Sequence, residues 1–291
     1  MNDQQIPVCQ AADPDVRKPG FEVPARACDT HAHVFGPQSR YDYVPNRSYT
    51  PPDALLADYL ALHRALGIER GVLIQPSVYG TDNQAMIDAL EQLEGRYRGV
   101  AVVEPDVDDQ ELQRLHQAGV RGVRVNLLFK GGVSFADVEK IAARIQPLGW
   151  HIQALIDVSE FENLYERLSG LPVDVVIDHM GHMHTDKGLG HPGLQALLKL
   201  LETGRCWVKL SGAYRFTAET EAPYTDVLPV ARALVEKAPD RMVWGSDWPH
   251  PFVHIPMPND GELLDMLWDW VPDAKLREQI LVHNPARLYD F

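Results

Sequence analysis

The chain has 291 residues, 45% of them hydrophobic and 23% charged, which is enough to bury one large core or two small ones. Its formal net charge of −14 argues against nucleic acid and anionic membrane as partners, and no apolar run approaches the roughly 18 residues of a bilayer span. An anionic small substrate then requires a local cluster of Arg or Lys that overrides the global field.

Residues 1–25 are rich in Pro, Asp and Gln without periodicity, and read as an N-terminal arm ahead of a single domain over 26–291. The opening "MNDQQIPVCQ" has no signal-peptide core. Cys9, Cys28 and Cys206 are odd in number and show no metal-like spacing, so a reducing cytoplasm is the expectation. Strands are expected at 27–31, 71–75, 99–104, 120–126, 151–156, 173–178, 206–211 and 241–246. Amphipathic helical stretches at 53–66, 83–94, 108–118, 135–148, 159–169, 193–203 and 226–238 alternate with them, and one near 261–282 closes the chain. This alternation is the count of a single-domain (β/α)8 TIM barrel. An open doubly wound sheet is the rival, but no GxGxxG turn follows the first strand.

In a barrel, alternate strand residues face the lumen, and chemistry gathers at the C-terminal strand ends. Period-2 alternation puts His31 and His33 of "ACDTHAHVFG" on one face with Asp29, and Cys28, Thr30 and Ala32 on the other. His179 in "VIDHMG" and Asp247 in "WGSDWPHP" end strands 6 and 8. Each of these residues alone reads as an ordinary strand-end polar group, but all four fall at the catalytic rim. His63 and His116 sit in helices, His151 begins a strand at the opposite end, and His283 lies in the closing segment. His182, His184 and His191 after strand 6, with His250 and His254 after strand 8, read as solvated loop positions.

In "GVRVN", Val123 and Val125 face the helices, so Arg124 points inward and needs an anion. That anion is an internal carboxylate such as Asp29 or Glu104, or a substrate carboxylate held jointly with Lys130 and Arg215 on the same rim.

His31-x-His33, "VIDHMG" and "WGSDWPHP", in order with "SYTP", "GTDN", "GVRGVR" and "NPARLY", resemble the amidohydrolase superfamily in its lactone-hydrolysing branch. The likeness runs along nearly the whole barrel. It implies hydrolysis of a small anionic lactone such as 2-pyrone-4,6-dicarboxylate, with Asp247 as general base and His31, His33 and His179 polarising the carbonyl. It also implies that Tyr49, Ser77, Arg124 and Arg215 touch the substrate. A sugar-acid lactonase or lactone isomerase is the alternative within the branch. A metal-dependent decarboxylase or a non-catalytic binding barrel stands further off. Lys130 stands where the branch has a second arginine, and Leu155 where it has a tyrosine, which bears on the particular substrate and not on the reaction.

Many superfamily members place a metal-binding histidine on strand 5, and "HIQALID" offers none at its rim end. His31, His33, His179 and Asp247 are the set that would hold a single Zn²⁺. The resemblance implies chemistry without a metal cofactor, with the histidines as hydrogen-bond donors where oxyanion charge develops.

Overall fold

The computed structural model describes residues 6–93, 95–128 and 134–291. Lys130 lies outside the described residues. Eight parallel strands pair in chain order into one sheet: β1 (Cys28–Ala32), β2 (Arg70–Ile74), β3 (Tyr97–Ala101), β4 (Val120–Asn126), β5 (His151–Leu155), β6 (Val175–Ile177), β7 (Cys206–Leu210) and β8 (Met242–Trp244). Helices α1 (Leu56–Leu66), α2 (Gln84–Glu91), α3 (Asp109–Gln117), α4 (Phe135–Ile145), α5 (Leu164–Ser169), α6 (Pro192–Leu201) and α7 (Leu228–Lys237) make the crossovers, and α8 (Asp260–Trp270) follows β8. This is the (β/α)8 barrel expected from the alternation. No described helix is long and apolar enough to cross a membrane.

The barrel closes just beyond β8. Asp247 N donates to His31 O at 2.8 Å, and His33 N donates to Trp248 O at 2.8 Å. The closing seam is therefore made by the backbone of residues that carry the chemistry.

Period-2 alternation holds along most strands. Leu73, Val123, Val125, Ile152, Val175 and Leu210 pack outward against the helices in the main core. Val72, Ile74 and Val100 meet Cys28 and Tyr289 inside the barrel. In β1 the alternation fails, because a bulge shifts the register between Asp29 and Ala32. Cys28 lies inside, whereas the Asp29 carboxylate meets Tyr59 of α1 at 3.0 Å and the Ser246 hydroxyl. His31 nevertheless turns inward, so Asp29 does not share its face as the sequence pattern suggested.

The closing segment is also not one helix. Pro272 lacks an N–H and α8 stops at Trp270, after which come α9 (Ala274–Glu278), a π-helical turn and α10 (Asn284–Tyr289). The arm crosses the mouth loops: Val8 pairs with Thr50, and Arg17 N donates to Asn259 Oδ1 at 3.1 Å.

Candidate active site

A cavity of about 440 Å³ opens at the C-terminal strand ends. Its walls include His33, Tyr49, Ser77, Arg124, His179, Arg215 and Asp247, which brings together most of the residues singled out from the sequence. His31 does not line it. The ring lies wholly buried, with Nε2 3.6 Å from Asp247 Oδ1.

Asp247 follows β8 in a left-handed backbone conformation, φ 66°, and His179 follows β6 with φ 50°. Neither is glycine, so both conformations cost energy that the surrounding packing must supply. Part of that packing depends on Gly245. A Cβ there would sit 2.7 Å from the Cβ of His31, so only glycine lets β8 approach the histidine strand this closely.

The two oxygens of Asp247 have different surroundings. Oδ2 accepts from the Tyr214 hydroxyl at 2.5 Å and from Arg215 Nε at 2.5 Å. Oδ1 has no hydrogen-bond partner among the described residues. Burial is the largest single influence and pushes this carboxyl up, but the charge and hydrogen bond of Arg215, with His179 and His31 beside it, together outweigh burial and hold it well below the usual carboxylate range. Burial pushes His31, His33 and His179 below the ordinary imidazole value, so the three rings are neutral.

Neutral rings make the tautomers matter. His33 Nδ1 lies 2.8 Å from Ile74 O, a pure acceptor, so Nδ1 carries the proton and Nε2 presents a lone pair. His33 is thus an acceptor toward the cavity, not the donor expected from the sequence. His179 Nδ1 lies 2.9 Å from the Ser211 hydroxyl, which can donate to it and leave a proton on Nε2.

His31 is set by a residue the sequence reading passed over. Lys209 on β7 is fully buried and gives protons to Thr30 O at 2.8 Å and Gln153 Oε1 at 2.7 Å. Its third proton finds His31 Nδ1 at 3.2 Å, nearer than Asp178 Oδ1 at 3.6 Å. Asp178 Oδ1 lies 3.3 Å from the same nitrogen but has no hydrogen-bond partner among the described residues, so the lysine contact decides and His31 carries its own proton on Nε2. Burial pushes the Lys209 ammonium down to about 8, against the pull of Asp178. The signal for Lys209 was present in "CWVKL": a lysine in an apolar strand, in register with inward Trp207.

Asp178, also passed over, supplies the internal anion for Arg124. Arg124 Nε is 3.6 Å from Asp178 Oδ2, whereas Asp29 is engaged with α1 and Glu104 is exposed. No hydrogen bond to Arg124 occurs among the described residues, and the side chain lines the cavity. Arg215 is committed to Asp247 and Pro251 O. His182, His184 and His254 border the cavity, His254 exposed as expected of a loop position, whereas His250 is fully buried and not solvated.

Among the described residues, two triads have ligand atoms close enough for a metal: His31, His33 and Asp247, and His31, Asp178 and His179. The bare Nε2 of His33, with its Nδ1–H on a carbonyl, suits a metal ligand. His31 does not, because the Lys209 ammonium at Nδ1 opposes a second cation on the same ring. Both triads need His31, so the set fits a divalent ion poorly, and no step below runs through one.

The fold and this rim define an amidohydrolase. Residues 28–291 match the amidohydrolase family model, and the chain belongs to that family. It is 42% identical over 284 residues to 2-pyrone-4,6-dicarboxylate hydrolase of Comamonas testosteroni, covering 94% of this chain and 92% of that one. It is 40% identical over 289 residues to 4-sulfomuconolactone hydrolase of Rhizobium radiobacter, covering 98% and 96%. Among solved structures, a probable 2-pyrone-4,6-dicarboxylic acid hydrolase from Acinetobacter baumannii with citric acid bound superposes with a TM-score of 0.81. It is 31% identical, covering 91% of this chain and all of the other.

Proposed function

We propose that this chain is a lactone hydrolase that opens the ring of a small carboxylated lactone with water activated at Asp247. One observation carries the reading: a buried, ionised carboxylate has one saturated oxygen and one bare oxygen beside neutral imidazoles at a cavity. The relatives support the substrate class, since two of them are hydrolases of lactones bearing acidic groups. The bound citric acid of the Acinetobacter protein supports an anionic ligand.

Asp247 Oδ1 and His33 Nε2 are 4.0 Å apart, a separation one water can bridge. The water directs one hydrogen to each. Oδ1 takes its proton as the oxygen attacks the carbonyl carbon, while Nε2 holds the second hydrogen and fixes the angle of attack. His179 Nε2–H meets the carbonyl oxygen where charge develops, while His31, which does not line the cavity, faces Asp247 Oδ1 at 3.6 Å from behind the base. The tetrahedral oxyanion collapses, the ring C–O bond breaks, and Asp247 returns its proton to the leaving ring oxygen. The product is an open-chain acid. Arg124, with Tyr49, Ser77 and Lys130, holds the substrate carboxylates in this scheme, and Arg215, which lines the cavity, adds its charge while Nε and Nη2 stay on Asp247 and Pro251 O. Cys9, Cys28 and Cys206 are free thiols, which supports a cytoplasmic location.

The test is ring opening of 2-pyrone-4,6-dicarboxylate, muconolactones and aldarolactones by purified protein, followed by acid release. Turnover of a carboxylated lactone is expected, with well under one equivalent of metal and no effect of chelator. Absence of turnover across the panel, or stoichiometric metal with chelator-sensitive activity, rejects this scheme.

A second expectation concerns Arg124, which has a cavity face as well as the Asp178 contact. Arg124→Met should raise KM for a carboxylated lactone roughly 10- to 100-fold, the worth of one charged hydrogen bond, and largely spare an uncharged one. Equal losses on both would assign Arg124 to Asp178 alone.

A further inference from the structure

We propose that Tyr214, His250 and Asp260 form a buried positioning chain that determines which oxygen of Asp247 acts as the base. The inference rests on the reading of Asp247 as general base.

The three side chains come from separate parts of the fold. Tyr214 lies on the turn after β7, His250 in the loop after β8, and Asp260 is the first residue of α8. They are 5%, 0% and 1% exposed. The Tyr214 hydroxyl is 2.5 Å from Asp247 Oδ2 and 3.0 Å from His250 Nδ1. His250 Nε2 is 3.1 Å from Asp260 Oδ1. An ionised Asp247 only accepts, so Tyr214 donates to it and must take the Nδ1–H of His250. His250 Nε2 faces Asp260 Oδ1 at the N-terminus of α8, a contact that fixes the orientation of the ring. The His250–Tyr214 and Tyr214–Asp247 hydrogen bonds therefore share one direction, ending on Asp247 Oδ2, while the Asp260 contact anchors the imidazole from its far side.

The consequence is geometric. Arg215 Nε alone would let the carboxylate turn about its Cβ–Cγ bond and offer either oxygen. Tyr214 adds a second donor on Oδ2, from a direction that His250 and Asp260 hold in place. Oδ2 is then saturated and Oδ1 is left bare beside His33 Nε2. None of the three residues is needed for the proton transfer itself, so each is a positioning residue.

The experiment measures kcat and KM for 2-pyrone-4,6-dicarboxylate in Tyr214→Phe, Asp247→Asn and the double variant. All measurements are made well below each variant's Tm. Tyr214→Phe should lower kcat roughly 10- to 100-fold, the worth of one charge-assisted hydrogen bond, with KM little changed. In the Asp247→Asn background the same change should cost nothing further, because the base it positions is gone. An unchanged kcat in Tyr214→Phe, or an additive loss in the double variant, overturns the chain while leaving Asp247 as base. Substantial activity in Asp247→Asn alone overturns the base reading instead. If Tyr214→Phe does not fold, Asp260→Asn enters the same cycle. That variant keeps an acceptor oxygen and removes the charge, and it should lower kcat by a smaller factor, again only where Asp247 is intact.

Discussion

Asp247→Asn should lower kcat by roughly 10²- to 10⁴-fold while leaving the protein folded, because the amide keeps the shape and loses the base. The amide can still accept from Tyr214 and Arg215, so the hydrogen bonds to Oδ2 at 2.5 Å have a partner that preserves the local packing. What disappears is the negative charge and the capacity of the bare oxygen to hold a proton. Initial rates at saturating lactone, with the fold checked by circular dichroism, decide the matter. A variant that keeps more than about a tenth of wild-type kcat would show that water is activated elsewhere. The wild-type pH profile offers a parallel check. Since Arg215 holds the Asp247 carboxyl below its usual range, kcat should not begin to fall until the pH is below the ordinary carboxylate value of about 4.

Lys209→Met should cost about 1–3 kcal/mol of stability, although the position touches no solvent and the substitution is apolar. The ammonium faces the fully buried Asp178, but its own burial outweighs that attraction, so loss of the charge is offset by relief of the desolvation. Asp178 keeps Arg124 at 3.6 Å, and the cost comes from the hydrogen bonds that are lost. Lys209 supplies the hydrogen bonds to Thr30 O and Gln153 Oε1, whose acceptors would then be stranded. Denaturant midpoints of Lys209→Met, Asp178→Asn and the double variant form the test. Coupling should appear as a double variant less destabilised than the sum. Wild-type stability in Lys209→Met would refute the expected cost. The pH dependence has a definite sign. Lys209 sits at about 8 in the folded protein against an ordinary 10.5, so the unfolded chain binds more protons between those values. Wild-type stability should therefore gain from this group as pH rises from 8 toward 10.5, and Lys209→Met should lack that gain.

The sequence by itself determined the barrel and the rim residues His33, His179 and Asp247, because both are written in local period. Alternating β-branched runs and amphipathic helices leave few closed arrangements, and a residue at a strand's C-terminal end reaches the mouth whatever its neighbours do. Arg124 was legible for the same reason, since Val123 and Val125 on either side leave it only the lumen. Asp29 marks where that logic stops. A bulge adds one residue to β1, turns His31 inward beside Lys209, and sends Asp29 out to α1, and no period-2 pattern announces such a shift. The tertiary structure alone decided the partners: Lys209 with His31, 178 residues apart, Asp178 with Arg124, and His250 with Tyr214 and Asp260. These pairs set tautomers and leave one oxygen of Asp247 bare. They depend on which strand ends the closed sheet brings within 4 Å, and hydrogen-bond direction at that range is a property of the assembled barrel rather than of any segment.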